Sequence, residues 1–222
     1  MHRDRLCICA IPLPGAENKV RMSSQLTFIQ QQIRACRRCA LAGFPIQGPP
    51  IFAGNEKARL MVIGQAPGKV EVGISHKPFS GNAGQRLFRW LRQAGWEEDE
   101  FRAKFYMTSV TKCFPGANKS GRGDRAPTRK EQQLCAEWLE AEIMLVDPEV
   151  ILPVGKMAIA RFFGRQRKLV DIIGARYQID GRIIIPLPHP SGASAWIQKP
   201  AHQTLIQRAL QHLALVKEEL SL

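Results

Sequence analysis

Four cysteines have the spacing of ligands for one metal centre. Cys36 and Cys39 are separated by two residues, Cys113 follows a strand-like run, and Cys135 falls inside a helix-like run. A Cys-x-x-Cys pair brings two sulfurs within reach of one centre, and thiolates select zinc or iron–sulfur chemistry. Cys7 and Cys9 lie far upstream and are read as bystanders. Between the pair and Cys113 stands Gly64-Gln65-Ala66-Pro67-Gly68, a turn that glycine permits and Pro67 stiffens. It is not a dinucleotide fingerprint, because no Gly-x-Gly-x-x-Gly opens a helix there. His189 is flanked by Pro188 and Pro190. A neutral imidazole held so stiffly can donate a hydrogen bond to a developing anion.

These residues need elements to hold them. The continuous apolar run 60–63 ends at Gly64, the pattern of a buried strand. Runs 105–110, 150–154 and 183–185 read as three more strands. Helical spacing appears over 84–96, 156–163 and 201–220. Thr128-x-x-Glu131 after Pro127 is a capping box that opens a long helix through Cys135, Trp138, Leu139 and Ile143. Ser24 or Thr27 is expected to cap a first helix leading into Cys36, with a Pro/Gly-rich connector over 43–54. Strands alternating with helices predict a three-layer α/β/α sandwich around a four-stranded, mostly parallel sheet. Ligands bind such sheets beyond the carboxyl ends of the strands, where the Gln65 loop, 109–113 and the His189 turn would converge.

The chain has 222 residues, 45% hydrophobic, suited to one globular domain. Thirty-two Lys and Arg against 19 Asp and Glu leave a net charge of +13, which points to a polyanionic partner. No apolar run of 18 residues is present to span a bilayer. Residues 1–22 are read as a poorly ordered N-terminal extension without an export signal, and 23–222 as the functional domain. A cytoplasmic setting keeps thiols reduced, which favours metal ligands over disulfides. A monomer is expected.

From about Cys36 to Leu215 the chain resembles the iron–sulfur uracil-DNA glycosylases known as family 4. The matching segments are Cys36-x-x-Cys39, the 64–68 loop, Glu71, Pro78-Phe79-Ser80-Gly81-Asn82-Ala83-Gly84, Lys112-Cys113, Cys135 and His189-Pro190-Ser191. The resemblance implies a 4Fe-4S cluster on Cys36, Cys39, Cys113 and Cys135, DNA containing uracil as partner, and hydrolysis of the uracil N-glycosidic bond. Phe79 would then be the floor for a flipped base, with His189 and the backbone of Gln65 and Ala66 donating to the departing uracil. Glu71 would position water and stabilise the cationic sugar. Three departures stand out: Gln65 where the family usually has Glu, Ser109 where it has Asn, and a longer loop between the third and fourth cysteines. Gln65 can orient water but takes no proton, so any basic role is assigned to Glu71, and Ser109 would share base reading with backbone groups. Lys119, Arg122, Arg125 and Arg129 form a basic loop suited to phosphates, and Ser191 begins a segment that would meet the duplex. Trp196, further along it, is expected to pack on the last helix. The other function class is a binding protein of the same fold that recognises uracil or a lesion in DNA with weak turnover or none.

Overall fold

Leu60 to Gly64 are buried without exception, which places β1 (Leu60–Gly64) in the interior of the sheet. The computed structural model describes residues 14–118, 120–121, 123–192 and 194–222, with side chains from Gln25 onward. Cys7, Cys9, Lys119 and Arg122 lie outside the described residues. β1 pairs in parallel with β2 (Tyr106–Ser109) on one side and β3 (Val150–Pro153) on the other. β3 pairs in parallel with β5 (Arg182–Ile184).

The sheet has five strands rather than the four expected, in the order β2-β1-β3-β5-β4. The extra strand, β4 (Tyr177–Ile179), runs antiparallel to β5. Asp180 and Gly181 join the two, both with positive φ (49° and 76°), as a two-residue hairpin turn demands.

Alternate residues of β1 face opposite layers, because side chains in a strand point to opposite faces. Leu60 and Val62 pack with α3 (Asn82–Gln93) and α7 (Pro200–Glu219) through Leu87, Leu91, Ile206 and Leu213. Met61 and Ile63 pack with α1 (Pro14–Ala35) and α5 (Arg129–Val146) through Ile33, Leu139 and Ile143. α1 begins well before Ser24 and Thr27, so neither residue caps it. Two short helices, α2 (Arg38–Leu41) and α4 (Glu98–Lys104), and α6 (Lys156–Phe163) complete the two helical layers.

The capping box at the start of α5 forms as its sequence predicts. Thr128 Oγ1 accepts the Glu131 N–H at 3.3 Å, and a Glu131 oxygen accepts the Thr128 N–H at 2.7 Å. The register then sets the functional rim. Gly64 pairs with Ser109 and Ile63 with Pro153, so the carboxyl ends of β2, β1 and β3 lie side by side. The chain departs from β1 to opposite sides of the sheet, making the cleft between β1 and β3 its switch point.

Candidate active site and cysteine cavity

Two loops are tied together at the end of β1 by one carboxylate. Glu71 is 8% exposed, and its oxygens accept three backbone N–H groups. Gly68 donates to one oxygen at 3.0 Å, and Ser80 and Gly81 donate to the other at 3.0 and 2.9 Å. The loop after Gly64 is thereby locked to the loop that carries Phe79. Gln65 adds a second tether, its carbonyl accepting the Thr111 N–H at 3.2 Å. Ala66 lies half-buried between these anchors.

Phe79 adopts φ 53°, and Arg102 steadies this strained residue by donating to the carbonyls of Pro78 and Phe79 at 2.7 and 2.9 Å. Its ring lies directly over Gly64, where an added Cβ would come within 2.8 Å of the ring tip. Gly64→Ala is therefore expected to tilt the ring off the strand end and slow turnover at least tenfold. The overpacking should cost about 1–3 kcal/mol. Single-turnover kinetics beside a thermal melt would check both effects.

His189 stands at the same rim. Its Nδ1 accepts the Ser191 N–H at 3.3 Å, so a neutral ring carries its proton on Nε2. The ring packs against Gly155 (φ 88°), where a Cβ would come within 3.1 Å of it. Burial lowers the imidazole pKa below its ordinary 6.5. A depressed pKa means that the unfolded chain takes up the proton first as pH falls. His189 therefore contributes stability above 6.5 that is lost as pH drops through its folded value. A proton NMR titration should place the His189 midpoint below 6.5, with the imidazole still neutral as pH falls past that value.

Ser109 is buried beside Gly64, but its hydroxyl donates to the Thr111 carbonyl at 2.7 Å. It forms a wall of the site and has no hydroxyl proton left for a base edge. Behind it lies a charged network that the sequence did not reveal. Lys112 and Glu142 pair at 2.6 Å, 1% and 0% exposed. Lys112 also donates to Thr108 and to the Ser109 carbonyl at 2.8 and 2.7 Å. Tyr106 and Thr108 donate to the Glu142 oxygens at 3.1 and 2.9 Å. Burial, followed by the Glu142 charge, pushes the Tyr106 phenol well above its ordinary range.

Two of the residues expected to meet DNA, Arg125 and Ser191, have partners within the protein. Arg125 is committed to Glu131 through two hydrogen bonds, at 2.7 and 2.8 Å, and holds that carboxyl down at about 2. It thereby braces the capping box. Ser191 uses its N–H on His189. Trp196 stacks on His202 of α7 at 4.1 Å between ring centroids, so it packs on the last helix as its sequence suggests.

Asp124 is the residue sequence reasoning missed. Between Cys113 and Cys135, Ala117 is bridged to Asp124, and the Asn118 N–H donates to the Gly123 carbonyl at 2.7 Å. One carboxylate oxygen of Asp124 lies 2.6 Å from the position a Gly68 Cβ would take, and a Glu71 oxygen lies 2.9 Å from the same point. Partial burial against the loop raises the Asp124 carboxyl although the residue remains exposed, the Lys69 N–H opposes that shift, and the Glu71 charge adds to it.

Cys36, Cys39, Cys113 and Cys135 line a single cavity at the base of α5. Cys36 follows α1, Cys39 belongs to α2, Cys113 follows β2, and Cys135 faces inward from α5. None of the four forms a disulfide. Burial, reinforced by Cys135, pushes Cys39 to about 11 and Cys113 to about 12, and burial also raises Cys135. Cys39, Cys113 and Cys135 would lose their protons together only against a strongly positive centre. Two donors already point at sulfur: Trp138 Nε1–H at Cys36, 3.3 Å, and the Lys112 N–H at Cys135, 3.4 Å. Thr111 lines the same cavity, and its buried hydroxyl has no partner among the described residues. Thiolate ligands, N–H donors to sulfur, an orphaned hydroxyl and walls such as Ile33, Ile46 and Leu134 fit an iron–sulfur cluster. As the side chains stand, no three ligand groups among the described residues are drawn close enough to hold a single ion.

The parallel sheet, the glycine loop at its switch point and the histidine turn beside it define a known class. The model of the Uracil DNA glycosylase superfamily matches residues 51–214, and the chain belongs to that superfamily. Within it, similarity runs to enzymes named type-4 uracil-DNA glycosylase. The Thermotoga maritima protein of that name is 29% identical over 168 residues, covering 75% of this chain and 81% of the relative. The Pyrobaculum aerophilum protein is 31% identical over 189 residues, covering 82% and 89%. The Archaeoglobus fulgidus protein is 33% identical over 130 residues, 59% of each chain.

Proposed function

We propose that this protein is a uracil-DNA glycosylase, hydrolysing the N-glycosidic bond of uracil in DNA to leave an abasic site for base excision repair. The observation that carries this reading is His189, half-buried, neutral and prepared to donate from Nε2 at the strand rim shared with Phe79 and the Gln65 loop. The chemistry requires that geometry. A stacked nucleotide hides its C1′ atom, so the nucleotide must turn out of the duplex into a pocket. Phe79 serves as the floor on which the flipped base stacks. When the C1′–N1 bond breaks, negative charge gathers on the uracil, and fixed donors stabilise it because they need not reorient. His189 Nε2–H donates to uracil O2, with backbone N–H groups of the Gln65–Ala66 loop as further donors. Glu71 supplies fixed negative charge toward the cationic sugar and keeps both loops in register. Gln65 orients the attacking water, and Ser109 closes the pocket wall.

Cys36, Cys39, Cys113 and Cys135 would hold a 4Fe-4S cluster. When bound, that cluster joins the α1–α2 corner to β2 and α5 as a structural tie. Anaerobically purified protein should be brown and carry iron and acid-labile sulfide, and Cys113→Ser should lose both. Colourless protein with zinc, or a Cys113→Ser variant with unchanged iron, would overturn the assignment. DNA is the polyanion suited to the +13 charge, and no helix among the described residues is long and apolar enough to cross a membrane. The catalytic reading is tested by single turnover on a uracil-containing oligonucleotide, followed by alkaline cleavage. Strand breakage at the uracil alone is the expected result. Tight binding without breakage would point instead to a binding protein of the same fold.

A further inference from the structure

The glycosylase reading leaves one role without an owner. Hydrolysis needs a group that takes a proton from the attacking water, and the Gln65 amide has no basicity at neutral pH. Glu71 is a poor candidate, because it is buried and its two oxygens already accept three backbone N–H groups. Asp124 stands next to it with a different environment. It is exposed, it reaches over Gly68 from the outer side, and the Lys69 N–H is the backbone donor it accepts. Its placement is built rather than incidental. Asp124 is bridged to Ala117, the Arg125 N–H donates to the Gly116 carbonyl at 3.0 Å, and the Arg125 side chain is anchored on Glu131. The loop between the third and fourth cysteines thus carries a carboxylate to the catalytic loop.

We propose that Asp124 is the general base of the reaction, replacing in space the carboxylate that Gln65 lacks in sequence. The water oxygen forms a bond to C1′ as the C1′–N1 bond breaks, and that bonding pair leaves on uracil N1. The water proton passes to Asp124 Oδ2, which later releases it to solvent, while His189 holds the uracil anion. Glu71 keeps its three backbone hydrogen bonds throughout, and its position beside Asp124 favours proton uptake by that neighbour.

The test uses single-turnover excision by the cluster-loaded full chain, with parallel binding to an oligonucleotide carrying uncleavable 2′-fluorodeoxyuridine. Asp124→Asn keeps an oxygen for the Lys69 N–H but takes no proton. It should slow excision by about 10²-fold, as loss of a general base typically does, with binding unchanged within twofold. Asp124→Ala should show a loss of the same size. If Asp124→Asn excises within threefold of the parent, or if only Asp124→Ala is slow, the carboxylate merely anchors the loop and the proposal fails. Loss of binding together with rate in Asp124→Asn would also overturn it. An inactive parent chain would bring down the glycosylase reading and this inference with it, whereas an active parent isolates the role of Asp124.

Discussion

His189→Ala is expected to lower the single-turnover rate of uracil excision by about 10²–10³-fold, the usual loss for removing one preorganised donor to a developing anion. The size follows from how the ring is held. Its Nδ1 is occupied by the Ser191 N–H, its face rests on Gly155, and burial keeps it neutral, so Nε2–H is in place before the bond breaks. Nothing in that arrangement requires the histidine for duplex binding. Affinity for uracil-free DNA should therefore stay within about twofold, a margin small beside the loss expected in rate. His189→Gln, which can still donate, should recover part of the rate. An alanine variant as fast as the parent would show that the uracil anion is stabilised elsewhere, with the 65–66 backbone as the next candidate.

The second large effect concerns stability. Glu142→Leu or Lys112→Met, made singly, should each destabilise the fold by about 3–5 kcal/mol, because each leaves the other charge buried without its partner. For a chain of this size that corresponds to a melting temperature lower by roughly 6–20 °C. The double substitution should recover most of the loss, since two apolar side chains leave neither charge stranded. Lys112 also holds the Ser109 carbonyl, while its own N–H reaches Cys135. Lys112→Met should therefore disturb the strand end more than Glu142→Leu does. Thermal melts of the two single variants and the double variant, taken with iron content, would separate these contributions. Simple additivity of the two losses would argue against a coupled pair.

Much of this architecture was legible in the sequence because it depends on local pattern. The run 60–63 is apolar on both faces, as a central parallel strand must be, and Thr128 with Glu131 forms the cap that its spacing announces. β4 was not found because Tyr177, Gln178 and Ile179 are too few to show alternation; the Asp180-Gly181 pair was the available signal. The site was less legible. Glu71 was read as the residue that handles water, and its ties to the backbone N–H groups of Gly68, Ser80 and Gly81 were not visible, because no side-chain pattern encodes them. Arg125 was read as one charge of a basic loop, and Asp124 beside it was passed over. Folding turns one onto Glu131 and the other over Gly68, and a charge count cannot express that distinction.

The outer margins of the sheet bear on how this protein behaves when crowded. β4 closes one side with three residues, too short a template to recruit another chain. On the opposite side, Ala53 lies against β2 and exchanges both backbone hydrogen bonds with Met107, at 2.9 and 2.8 Å. The segment around Ala53 thus acts as a guard rail along the margin nearest the catalytic rim. Ile51 and Phe52, buried just before it, fasten that guard to the body of the protein. Detaching this segment would bare the backbone N–H and C=O of Met107 on the outer margin of β2. Self-association of the chain should therefore begin with the peeling away of the connector rather than with global unfolding.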